Sequence, residues 1–118
     1  MVNQNVIVGR IINSPILVEN DNLKYTTLSI SVPRRYKNNN DEQEFDCINT
    51  ILIGGIAENT LKYCEKGSLI GIKGRLETRK VNPNEEINYV TEIVVEKVTI
   101  LSNDKGENDE NFTNSLQV

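Results

Sequence analysis

Arg34-Arg35-Tyr36-Lys37 puts three cations around one aromatic ring. Such cations can hold phosphates while the ring stacks on a base, because every base offers a π-face. The plainer reading is a solvated hairpin end, since the loop Asn38-Asn39-Asn40-Asp41 follows directly. A second cationic group, Arg75, Arg79 and Lys80, closes the stretch KGSLIGIKGRLETRK at residues 66–80, which itself opens on Lys66. Both groups suit contact with a nucleic acid.

Catalysis has less support. No His is present, which removes the commonest acid–base and metal-binding residue. Cys47 and Cys64 are too far apart for a CxxC motif, and free thiols in a reducing cytoplasm are the simplest reading. Ile72 rather than Gly precedes Lys73, so the glycine-rich stretch is not a phosphate-binding P-loop. Glu85-Glu86 sit in a polar loop and read as solvated surface. No catalytic residue, metal site or cofactor is therefore expected. No apolar run approaches the roughly 20 residues of a membrane span, and no signal-peptide pattern opens the chain.

The formal charge of −4 argues against a polyanionic partner until its distribution is considered. Asp104, Glu107, Asp109 and Glu110 against Lys105 put −3 into residues 102–118, leaving −1 for residues 1–101. A nearly neutral body can still carry a basic face.

The elements that must hold these cations are mostly strands. Residues 6–12 read as a strand interrupted at Gly9, and Asn13-Ser14-Pro15 ends it. Asn20-Asp21-Asn22 is a turn signal. Leu28, Ile30 and Val32 alternate with Thr27, Ser29 and Ser31 in a half-buried strand, which Pro33 is expected to stop. In the next strand Phe45, Cys47, Asn49, Ile51 and Ile53 share one face, and Asp46, Ile48, Thr50 and Leu52 the other. Residues 56–64 are the one helix, with Ile56, Leu61 and Cys64 as its apolar side and Gly67 beyond it as a stop. Gly67, Gly71 and Gly74 mark a strand that bends hard, as in a small closed barrel. After a loop at 82–86, residues 89–101 form a last strand with Val90, Val94, Val98 and Ile100 on one face and Ile93 and Val95 on the other. Residues 102–118 have the acidic, Asn-rich composition of a flexible tail. Three strands, a helix, two strands and a tail describe an all-β chain with one helix. That is the layout of an OB-fold, a five-stranded Greek-key barrel with its helix between strands 3 and 4.

NVIVGR at residues 5–10, the strand ending in RRYKN, DCINTILIGGIAENTLKYCEKGSLIGIKGRLETRK at 46–80 and YVTEIVV at 89–95 together resemble bacterial single-stranded DNA-binding proteins. The resemblance covers residues 1–101, in order and with similar spacing. It implies an OB-fold domain over 1–101, a homotetramer built as a pair of dimers, and sequence-tolerant binding of single-stranded DNA in replication, recombination and repair. A cytoplasmic, nucleoid-associated location follows from that role. Tyr36 stands at a stacking position of the family, and Lys37, Lys66, Arg79 and Lys80 match basic ones. With Arg34, Arg35, Asn49 and Ile53 they make up the expected contact set. Other rings are missing. Cys47 stands where Trp is frequent, Ile53 where Phe or Trp is usual, Val81 where an aromatic is common, and Glu77 where Arg is common. Family members commonly end in Asp-Asp-Ile-Pro-Phe, a tip that recruits replication and repair proteins. Residues 114–118 read Asn-Ser-Leu-Gln-Val instead, as in a divergent plasmid- or phage-type paralogue. The alternative within the same fold is a primosomal-type dimer that works mainly through protein contacts and binds DNA weakly.

Overall fold

The computed structural model describes residues 1–81, 84 and 88–103. Its elements are β1 (Asn5–Ile11), β2 (Val18–Asn20), β3 (Leu23–Lys37), β4 (Gln43–Ile53), α1 (Gly55–Tyr63), β5 (Leu69–Lys80) and β6 (Tyr89–Ser102). The strands neighbour one another in the order β1-β5-β6-β4-β3-β2, and β1 also pairs with β3 through Arg10↔Ser31 and Ile11↔Ile30. This extra pairing closes five long strands into a ring, the expected barrel, with α1 between its third and fourth strands. The expected loop at 82–86 falls mainly, and the tail almost wholly, outside the described residues.

Three details differ from the sequence reading. A short sixth strand, β2, pairs with the start of β3, and Asp21 (φ 49) and Asn22 (φ 69) form the two-residue turn between them. Consecutive left-handed residues match the twist of a tight hairpin, and Asn and Asp tolerate that region. Pro33 does not stop β3, which runs on to Lys37. The β3–β4 register slips between Pro33 and Lys37, so Pro33 sits at an irregular rung, where a missing N–H is tolerated. The last strand also changes face. Ile93 and Val95 are buried, but Lys73 pairs with Lys97 while Gly74 pairs with Val95, leaving Glu96 as an extra residue. Beyond that bulge Val98 packs against the core. Val94 and Val98 therefore lie on opposite faces, because one inserted residue reverses a two-residue alternation.

The barrel interior is aliphatic, with Leu28, Ile30, Leu52, Ile70 and Ile72 at 0–2% exposure. Two glycines let its strands approach. A Cβ on Gly9 would strike the Ser31 carbonyl, and one on Gly74 would strike the Val94 carbonyl at the bulge. Ala57 and Thr60 turn the buried side of α1 towards the barrel, while Lys24 from β3 pairs with Glu58 on its outside. Gly67 follows the helix and donates its N–H to the Ile11 carbonyl, tying the helix exit to β1.

Candidate nucleic-acid interface

Leu52 and Thr50 point into the barrel, so the alternate residues of β4 face outward. Register then carries that face across four strands. Thr27 pairs with Ile51, Ile51 lies beside Val94 in the parallel β4–β6 pair, and Val94 pairs with Arg75. Two residues further along lie Ser29, Asn49, Glu92 and Glu77. Asn49 is exposed and accepts a hydrogen bond from Ser29 Oγ at 3.2 Å. Ile53, at 43% exposure, pairs with Tyr25 at one end of the ladder, and Phe45, also at 43%, pairs with Pro33 at the other.

Tyr36 stands past the register slip at the far end of β3, 67% exposed. Arg34 is tied down beside it. Its Nε and Nη2 donate to Asp46 Oδ1 at 3.0 and 2.8 Å, and its Nη1 donates to Glu44 Oε2 at 2.8 Å. These bonds push the Asp46 carboxyl below its ordinary range and raise Arg34. Lys37 Nζ is 3.8 Å from Asp41, a loose contact. Arg35 is exposed.

Arg79 lies on the same outward face as Arg75 and Glu77, opposite Val90. Its Nε donates to Glu92 Oε1 at 3.0 Å, and Glu92 is only 8% exposed. Arg75 in turn holds Glu77 at 2.6 Å. Lys80 has the opposite parity, and its Nζ sits 5.9 Å from the ring centroid of Tyr89 on the paired strand. Lys66 is far from both. It lies before β5, at the other end of that twelve-residue strand from Arg79, lining a groove with Arg10, Ile12 and Leu61. The predicted residues thus divide into an outward face (Asn49, Ile53, Arg79), a far end (Arg34, Arg35, Tyr36, Lys37), a hairpin flank (Lys80) and a remote cation (Lys66). Arg75 and Phe45 join the face without having been counted in the contact set. Alternation within each strand marked their side, but only cross-strand register shows what they stand beside.

A family model described as the single-strand binding protein family matches residues 2–101. The chain belongs to that family. Among curated relatives, single-stranded DNA-binding protein 1 of Streptococcus pyogenes is 35% identical over 119 residues, covering 98% of this chain and 91% of the relative. Single-stranded DNA-binding protein B of Bacillus subtilis is 38% identical over 109 residues, covering 86% and 91%. Among solved structures, the small single-stranded DNA-binding protein from Streptomyces coelicolor superposes with a TM-score of 0.66 at 15% identity, covering 86% of this chain and 95% of that one. A deletion mutant of the single-stranded DNA binding protein from Thermus aquaticus gives 0.70 at 22%, covering 89% of this chain and 52% of its own length. At those identities the likeness is one of fold, the OB-fold expected from the strand order. In this single-strand binding family member the positions expected to carry rings are open but aliphatic or small. Cys47 is exposed, Ile53 is 43% exposed and Val81 53%.

Proposed function

We infer that the chain binds single-stranded DNA with little sequence preference and protects it during replication, recombination and repair. The observation that carries this reading is the outward β3–β4–β6–β5 face of a single-strand binding family member, with the exposed ring of Tyr36 between Arg35 and Lys37 at its end. The names of the relatives described above state the same ligand for those proteins. The proposed contact set is Arg34, Arg35, Tyr36, Lys37, Asn49, Ile53, Lys66, Arg79 and Lys80. Arg34 and Arg79 enter it already holding carboxylates, so the phosphate contacts fall chiefly to Arg35, Lys37, Lys66 and Lys80. The role is binding rather than catalysis, and its place is the cytoplasm. Among the described residues no helix is long and apolar enough to cross a membrane.

A homotetramer built from dimers is part of the reading. Val6, 72% exposed, and Leu101, 51% exposed, lie with Val8 on the outside of β1, β5 and β6. From residue 5 to residue 8 the described β1 pairs only with β5, leaving its other edge open to a second copy. Light scattering at micromolar concentration reads the assembly, and a monomer would exclude it.

A salt-titrated comparison of single- and double-stranded DNA tests the function. Tighter binding to the single strand is expected. Each neutralised phosphate should lower log K by about 0.7 per unit of log salt, because contact releases counterions. Equal binding to both forms, or an affinity flat between about 50 and 200 mM salt, would refute the reading.

A further inference from the structure

We propose that Tyr25 and Phe45 are base-stacking residues, standing in for rings that the chain lacks at Ile53 and Cys47. The proposal rests on the single-strand reading above and adds two positions to its contact set. Tyr25 lies directly opposite Ile53 in the β3–β4 ladder. Directly opposed residues share a face with Cβ atoms roughly 4.5–5.5 Å apart, so a ring on Tyr25 overhangs the space a ring on Ile53 would fill. Phe45 is two residues from Cys47 on the same strand, hence on the same face and about 7 Å along it. Its partner across the ladder is Pro33, which adds an apolar wall at that rung. Phe45 is 43% exposed on a face that the core does not use. At one end of the ladder Phe45 is left open, and at the other Tyr25 lies half-buried between Val18 and Ile53 on the same outward face.

The rungs between them carry no ring. Thr27, Ser29 and Ser31 face Ile51, Asn49 and Cys47. The two rings are eight residues apart along β3, from the rung of Tyr25 to that of Pro33, or about 27 Å. They therefore take different nucleotides, with hydrogen-bonding and aliphatic side chains under the bases in the middle. Tyr36 extends the path beyond the Phe45 end.

The test is binding of the full chain to a dT20 oligonucleotide. Tyr25→Leu and Phe45→Leu keep apolar bulk but remove the ring. Each should weaken binding roughly five- to 150-fold, the range that base–aromatic stacking spans. The two losses should multiply in the double variant, because separate nucleotides are involved. Tyr25→Phe and Phe45→Tyr keep a ring and should bind as the parent does. A ring swap guards against misfolding: Tyr25→Leu combined with Ile53→Phe returns a ring to the same rung and should recover most of the loss. Leucine variants that fold by circular dichroism and bind like the parent would overturn the proposal while leaving single-strand binding intact. A loss that neither the ring-keeping variants nor the swap avoids would overturn it too. Failure of the unsubstituted chain to bind dT20 would remove the reading beneath it, and the proposal with it.

Discussion

Arg34 at the far end of β3 and Arg79 on the β5–β6 ladder are both arginines of the proposed contact set held by carboxylates, yet their settings differ. Arg34 grips two groups that remain in water, Glu44 and Asp46, with side chains 40% and 45% exposed. Arg79 is itself 59% exposed but grips Glu92, whose side chain is 8% exposed. Water can replace Arg34 at its partners. It cannot easily replace Arg79, because Glu92 has already lost most of its solvent and depends on the donor it has. A sequence shows two cations of equal standing here. The fold makes one a surface brace and the other the partner of a nearly buried charge.

The largest effect should come from Arg79→Ala. It leaves the Glu92 carboxylate without its charged donor and should cost roughly 1–3 kcal/mol of stability. Urea denaturation measures this. Arg79→Ala combined with Glu92→Gln should recover part of the loss, since the stranded charge is gone. A single variant as stable as the parent would show that Glu92 finds water or another donor.

Tyr36→Ala should cost roughly 1–3 kcal/mol in affinity for single-stranded DNA and little in stability, because the ring is mostly in solvent. Arg34→Ala, its neighbour, should do the reverse in miniature, with a small loss of stability and a modest change in affinity. Titration calorimetry beside thermal melts separates the two. Equal affinity losses from both variants would mean that Arg34 leaves its carboxylates to bind phosphate.

The smallest effect is in the pH dependence. Hydrogen bonds from Arg34 depress the Asp46 carboxyl in the folded chain. The stabilisation is therefore complete above the ordinary carboxylate range and is lost as pH falls through the lowered folded value. The stability gap between the parent and Arg34→Ala should be widest near neutrality and close on acidification. A gap that stays constant down to the acid limit would detach Asp46 from Arg34.

Much of this was legible in the chain itself. Alternation put Cys47, Asn49, Ile51 and Ile53 on one side of β4, and burial of Thr50 and Leu52 makes that side the outer one. Turn residues and the single helix placed the elements in barrel order. The partners of Arg34 and Arg79 were not legible. They lie 12 and 13 residues away on neighbouring strands, and only register decides which carboxylate meets which arginine. Pro33 misled because a proline ends a regular ladder but not an irregular one. The apolar residues of β6 misled because alternation was extended across a bulge that leaves no mark of its own in the residue types.

The bulge at Glu96 also works as a frame-shift within the strand, the structural analogue of an inserted letter. Residues 89–95 are read in one phase and residues 97–100 in the other, and a single amino acid separates the two messages. Deleting Glu96 would return the strand to plain alternation, with Lys97 still opposite Lys73 and Val98 still turned inward opposite Ile72, and would remove the bulge itself. Replacing Glu96 with almost any residue leaves the phase alone. At this position the count of residues carries the information and their chemistry carries little. Substitution at 96 should therefore keep the bulge, whereas loss of one residue there should take away the bend and added twist that it gives the strand.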